Sequence, residues 1–311
     1  MAEYRAIREK YSLIEICHHP EIAAEVTLQP VRALGVDAAI LFADILLPAI
    51  PLGVGLEFAI GEGPVLHNPV RTMEDVRALK PVETESDLGY VMEAIRILRG
   101  ELNGIPLIGF CGAPWTVATY MVAGEATPDQ APARLFAYRD PDNFAQLIDR
   151  LVRGSIDYLV GQLKAGAECV QIFDTWAGVL GPEQFDRWCI APTQQIVAGV
   201  REQIPGARII GFPRGASAMA LAYVEMTGVD AIGIDWTFER EIARDMLQLR
   251  VAVQGNVDPL ALLAGGAALD REVDDVLRML GDGPLIFNLG HGILPPTPIA
   301  HVERMLKRVR G

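Results

Sequence analysis

The chain has 311 residues, half of them hydrophobic, and a mean hydropathy of +0.24, which supplies ample material for a packed core and argues against a disordered protein. Its formal net charge of −13 argues against nucleic-acid binding, because phosphate recognition needs a concentrated Lys/Arg surface, and mildly against anionic membranes. An anionic small ligand stays open, provided a few arginines cluster locally.

The length fits a single α/β barrel, taken here as one domain over residues 1–311. Cys17, Cys111, Cys169 and Cys189 are widely spaced with no C-x-x-C pair, so they read as reduced thiols rather than a disulfide framework. No charged-then-apolar signal segment opens the chain. A soluble, cytoplasmic protein with no membrane contact is the expectation.

The first β-rich apolar run is Asp37–Asp44. The apolar stretch Ile45–Leu56 follows; it contains Pro48 and Pro51 and is too short to span a bilayer. Further runs are Ile105–Gly112, Cys169–Thr175, Arg208–Pro213, Ala231–Trp236, Val251–Asn256 and Leu285–Gly290. They are continuously apolar rather than alternating, as strands buried on both faces must be, and this predicts a parallel sheet. Between them lie helical patterns. From Phe144, apolar residues recur at Leu147, Ile148, Leu151, Val152, Leu159, Val160 and Leu163, and Gly166 stands as the C-cap. Asp270–Leu280 repeats the pattern ahead of Gly281. Strand alternating with helix means α/β. Seven such strands fit a barrel and an open doubly wound sheet equally well.

In either architecture, ligands bind at the carboxyl ends of the strands. Those ends carry Asp44, Asp174 with Thr175, Asp235, Gln254 and Asn256, then Asn288 and His291. Asp44, in AAILFADILLP, is a lone carboxylate among apolar neighbours. Burying such a charge without a partner is expensive, so a cation or N–H donors meet it, or it awaits a ligand; an ordinary helix-capping Asp is the plain alternative. Asp174 and Asp235 read as structural. His291 lies between Gly290 and Gly292, where the backbone can approach a ligand closely. Tyr120 on its own reads as a core aromatic with a satisfied hydroxyl. Cys17, His18 and His19 are adjacent, but no further ligand returns at metal spacing, so no metal site is expected. A glycosidase-type carboxylate pair is disfavoured, because the run Val251–Asn256 ends in amides.

Six segments together resemble the uroporphyrinogen decarboxylase family in order and spacing: EVTLQPVRALGVDAAILFADIL, GFCGAPWTVATYMV, IFDTWAGVLGPEQF, GIDWT, VQGNVDP and NLGHGI. The resemblance implies a TIM (β/α)8 barrel. It implies cofactor-free removal of four acetate carboxyls from uroporphyrinogen to give coproporphyrinogen, usually by a homodimer. Carried over by motif, the pyrrole-binding aspartate is Asp44, the active-site tyrosine Tyr120 and the strand-loop histidine His291. Thr175 stands where the family has serine, keeping the hydroxyl. Phe42 joins the substrate-binding set.

The family pattern upstream reads roughly as a strand and then R-Q-A-G-R-Y-[LM]-P-E-[YF]-R. The chain opens Met1-Ala2-Glu3-Tyr4-Arg5, matching only the tail of that motif. The expectation is that the first barrel strand and two arginines are missing, leaving seven strands. Arg5, Arg8 and Arg214 remain as candidate contacts for substrate carboxylates. Two other functions compete. A corrinoid-dependent methyltransferase of the same superfamily would need an H-x-C pair and a later Cys, and this chain has no H-x-C and no cysteine after Cys189. A non-catalytic porphyrin-binding remnant is the other, should the short N-terminus be genuine.

Overall fold

The computed structural model describes residues 1–59 and 63–311. Helices Ala2–Arg8, Leu13–His18 and Pro20–Leu34 precede a two-residue strand, β1 (Ala39–Ile40). An antiparallel hairpin follows, β2 (Gly55–Ala59) with β3 (Gly63–His67). The remaining strands are β4 (Leu107–Gly112), β5 (Cys169–Asp174), β6 (Ile209–Pro213), β7 (Ala231–Gly233), β8 (Ala252–Val257) and β9 (Leu285–Leu289). Together with β1 they form one curled, all-parallel sheet of seven strands in the order β1-β4-β5-β6-β7-β8-β9, a half-barrel with β1 and β9 at its borders.

All seven expected strands occur, but the first contracts from Asp37–Asp44 to Ala39–Ile40. After the Leu41 N–H bonds to the Ile108 carbonyl, the Phe42 N–H turns instead to the Thr27 hydroxyl (2.9 Å) and the chain leaves the sheet. Backbone groups of β4 beyond that point lose their strand partner. Gln162, from the long helix Pro141–Ala165, replaces it: its Oε1 accepts the Phe110 N–H and its Nε2 donates to the Phe110 carbonyl, both at 2.8 Å. Gly109 leaves room for this amide, since a Cβ there would lie 2.3 Å from Gln162 Oε1.

That helix follows the expected pattern. Asp140 caps its start, Pro141 opens it and Gly166 (φ 124°) ends it. Phe144, Leu147, Ile148, Leu151, Val152 and Leu159 are buried, Phe144 against Trp115, Phe136 and Trp188; each is worth roughly 1.5–3 kcal/mol of burial. The expected helix over Asp270–Leu280 extends over Gly266–Leu280. The run Ile45–Leu56 folds into a 3-10 turn, Leu47–Ala49, with Leu46, Leu47 and Ala49 fully buried, and then enters β2.

Strand register places Phe110, Phe173, Phe212, Gly233 and Gln254 on the inner face, because laterally paired residues point the same way. Phe110 and Phe173 meet edge to face at 5.5 Å, and Phe173 and Phe212 at 6.0 Å. At the borders the same face opens to solvent: Ile40 is 45% exposed and Ile286 is 38% exposed.

Candidate active site

The residues singled out by sequence fall into two groups at the carboxyl ends of the strands. The first surrounds Asp44, just past β1. Its Oδ1 accepts the Leu46 N–H at 2.8 Å, and no cationic side chain among the described residues pairs with it. Burial raises its pKa above the ordinary 3.8, and that one N–H only partly offsets the effect. The charge reaches the buried Cys17 thiol, which burial followed by Asp44 pushes up to about 12, and the Tyr120 hydroxyl. Phe42 packs edge to face on Tyr4 at 5.8 Å, so the N-terminal helix buttresses the Asp44 segment.

Tyr120 lies on the helix Pro114–Ala123, half-buried, with its hydroxyl pKa raised chiefly by burial. Beside it stands Trp176, ring centroids 6.4 Å apart. The Trp176 indole N–H is buried and makes no well-formed hydrogen bond among the described residues; it lies close enough to the Tyr120 oxygen to offset part of that rise. Thr175, between Asp174 and Trp176, is half-buried.

The second group gathers around β6, β7 and β9. The Arg214 guanidinium lies 5.2 Å from the Trp236 ring centroid, a cation–π contact. The exposed His291 is 6.5 Å from Phe212 and has a lowered pKa, first through partial burial and then through Arg214, with Asp235 opposing. Asp235 is saturated: its carboxylate accepts the Gly215 N–H at 2.6 Å and, at Oδ1, the N–H (2.8 Å) and hydroxyl (2.5 Å) of Thr237. It is structural, as read from the sequence. Asn256 holds the same loop, donating to the Asp235 and Phe238 carbonyls and accepting from Arg240 Nε. Arg240 is in turn paired with Glu272 and Asp275.

Arg5 is exposed on the N-terminal helix and forms no ion pair among the described residues. Arg8 donates to the Tyr11 carbonyl and influences Tyr4 and Cys17. No hydrogen bond or ion pair among the described residues joins Asp44 to Arg214 or His291; the first group stands beyond β1, β4 and β5 and the second beyond β6, β7 and β9, as separate walls of the half-barrel's mouth at the carboxyl ends of the strands. A cavity of about 220 Å3 lies behind Ile45 and Val117, on the outer side of β4; neither Asp44, Tyr120 nor His291 lines it. Sequence reasoning missed Trp176 and Trp236. Trp236 directly follows Asp235 in IDWT and Trp176 stands two residues after Asp174 in DTWAG, and that proximity to a strand-end acid was the available signal.

The family model for uroporphyrinogen decarboxylase (URO-D) matches residues 1–311. The chain belongs to the uroporphyrinogen decarboxylase family. Curated members of that family include the uroporphyrinogen decarboxylase of Chelativorans sp. (strain BNC1), 52% identical over 312 residues that span all of this chain and 90% of that protein. The Brucella anthropi uroporphyrinogen decarboxylase is 52% identical over 316 residues, covering all of this chain and 91% of its own length. Among solved structures, a methyltransferase from Methanosarcina mazei superposes with a TM-score of 0.82 at 21% identity, covering 95% of this chain and 86% of that one. A B12-independent methionine synthase from Shewanella sp. W3-18-1 superposes with a TM-score of 0.60 at 11% identity, covering 94% and 85%. At those identities the likeness is one of fold.

Proposed function

We infer that this protein is a uroporphyrinogen decarboxylase, a carboxy-lyase that converts the four acetate side chains of uroporphyrinogen III to methyl groups without a cofactor, giving coproporphyrinogen III in tetrapyrrole biosynthesis. The observation that carries the reading is the Asp44 carboxylate, held in an apolar setting with one N–H donor and no paired cation among the described residues. It lacks what an ionised carboxylate needs, and the pyrrole N–H groups of the substrate supply it.

The chemistry follows from that complementarity. Protonation of the α-carbon next to the acetate-bearing ring carbon turns the pyrrole into an iminium-like cation conjugated with that acetate. The carboxylate leaves as CO2, and its C–C electron pair flows into the ring to form an exocyclic methylene. A second proton, added to the methylene carbon, completes the methyl group, and loss of the first proton from the ring α-carbon restores the aromatic ring. Asp44 offsets the developing positive charge; in a site screened from water such stabilisation is worth several kcal/mol. Tyr120, Thr175 and His291 orient the ring and its carboxylates, Arg214 and Arg5 supply positive charge for those carboxylates, and Phe42 packs against the macrocycle.

The protein acts as one domain and as a cytoplasmic homodimer. The four free cysteines suit a reducing compartment. Met226, Met246 and Leu249, the last 76% exposed, present apolar surface for a second copy. No helix among the described residues is long and apolar enough to cross a membrane. The M. mazei likeness is one of fold, and the sequence does not favour methyl transfer, having no H-x-C pair and no cysteine after Cys189. The test is anaerobic incubation with uroporphyrinogen III, counting CO2 and coproporphyrin after oxidation. Ligand binding without CO2 release would instead mark a binding protein.

A further inference from the structure

Asp174 is the last residue of β5 and is 1% exposed. Because Phe173 points inward, Asp174 points outward, between the sheet and the helix Pro114–Ala123. Its Oδ1 accepts the Thr116 hydroxyl proton at 2.5 Å. A hydroxyl has one proton, so Thr116 Oγ1 meets the Trp176 N–H (3.1 Å) only as an acceptor. The carboxylate therefore sets the rotamer that catches the Trp176 peptide. The other end of that residue is held as well, since its carbonyl accepts the Trp115 indole N–H at 3.0 Å.

Both clamps come from the helix that carries Tyr120. Thr116 and Tyr120 stand four apart, hence on one face of it. Fixing Trp176 on Thr116 therefore also fixes the Trp176 indole beside the Tyr120 hydroxyl. Main-chain bonds extend the arrangement to the second wall. The Asp174 carbonyl accepts the Arg214 N–H at 3.1 Å, and the Arg214 carbonyl accepts the Gly178 N–H at 2.9 Å. Gly178 and Gly215 are then so close that a Cβ on Gly178 would lie 2.9 Å from the Gly215 Cα.

We propose that Asp174 is a positioning residue for the decarboxylation: through the Thr116 hydroxyl its carboxylate sets Trp176 against Tyr120, while its carbonyl sets Arg214, so that both walls of the mouth are referenced to one buried side chain and its peptide. The proposal rests on the decarboxylase reading for its activity arm only. Asp174 touches no substrate.

The test uses paired substitutions in the full chain. Thr116→Val and Asp174→Ala remove the link; Thr116→Ser and Asp174→Asn keep a hydroxyl and an Oδ1 acceptor. Misplacing a site residue by a fraction of an ångström to an ångström costs about tenfold to a hundredfold in kcat/KM. Thr116→Val and Asp174→Ala should show that loss, mostly in kcat, and the conservative variants should recover most of it. In 15N-labelled protein the Trp176 indole N–H resonance should shift in Thr116→Val and return in Thr116→Ser. If the folded fractions of Thr116→Val and Asp174→Ala keep wild-type kcat/KM and only thermal stability falls, the proposal is overturned. If the wild-type chain releases no CO2, the decarboxylase reading fails alone, and the indole resonance still decides: an unchanged signal in Thr116→Val overturns the positioning role.

Discussion

The Arg214 guanidinium sits over the Trp236 ring, and this contact holds a cation beside His291. Burial and that cation together keep the imidazole neutral to lower pH than usual, with Asp235 pulling the other way. Arg214→Gln should therefore raise the His291 pKa, read by histidine NMR titration. It should also raise KM for a polycarboxylate substrate by about tenfold or more. An unmoved His291 titration would show that Arg214 does not act on it.

Asp44→Asn tests the central assignment twice. Turnover should fall by about a hundredfold to a thousandfold, because the substituted amide cannot balance a positive charge. Stability should move the opposite way. Asp44 has a folded pKa raised above its ordinary 3.8, so its contribution is favourable below that value and is lost as pH rises through the folded value. At neutral pH the asparagine variant should melt higher than the parent. Calorimetry beside the CO2 assay checks both.

Asp174 carries a similar penalty, and its size is accessible. Burial pushes the carboxyl from 3.8 up to about 6, with Thr116 and Cys189 holding it back, and Oδ2 has no hydrogen-bond partner among the described residues. Stability should therefore be full below about pH 4 and decline as pH rises towards 6. The displacement corresponds to roughly 3 kcal/mol at pH 7. Comparing urea unfolding of the parent and Asp174→Asn from pH 4 to 7 isolates this group. The nearby Cys189 and Tyr223 have raised pKa values and stay neutral across that range. The difference between the two proteins should grow with pH, and a constant difference would refute the assignment.

Thr27→Val should loosen the Asp44 segment at its base. Thr27 is 3% exposed, accepts the Phe42 N–H and donates to the Ala23 carbonyl at 2.8 Å. Valine leaves the Phe42 amide without its acceptor, costing about 1–3 kcal/mol. The lower melting temperature should come with faster hydrogen exchange at Phe42.

The sheet strands were legible because strands covered by helices on one face and lumen on the other are apolar throughout, and each is followed by a 3.6-period stripe. Asp44 was legible for the converse reason, as a charge among residues that seek burial. The hairpin of β2 and β3 was not. GLEFA continues an apolar run, and GPVLH shows no alternation that marks a partner. The contraction of β1 was hidden too, because it depends on Thr27, fifteen residues upstream, taking the Phe42 amide. Trp176 and Trp236 drew no reading from the sequence; only tertiary packing reveals that one stands beside Tyr120 and the other carries Arg214. Asp174 was read as structural, and its burial agrees, yet its bond to Thr116 could not be seen from a spacing of 58 residues.

The two open borders of the half-barrel bear on how the protein behaves in a crowded solution. Ile40 and Ile286 lie on β1 and β9, whose outer backbone edges pair with no strand among the described residues, and such edges recruit other strands. The surplus of carboxylates opposes that recruitment by mutual repulsion, and the repulsion weakens near pH 4.9, where the net charge vanishes, or in concentrated salt. The acidic composition thus acts as a colloidal guard for a sheet that does not close on itself.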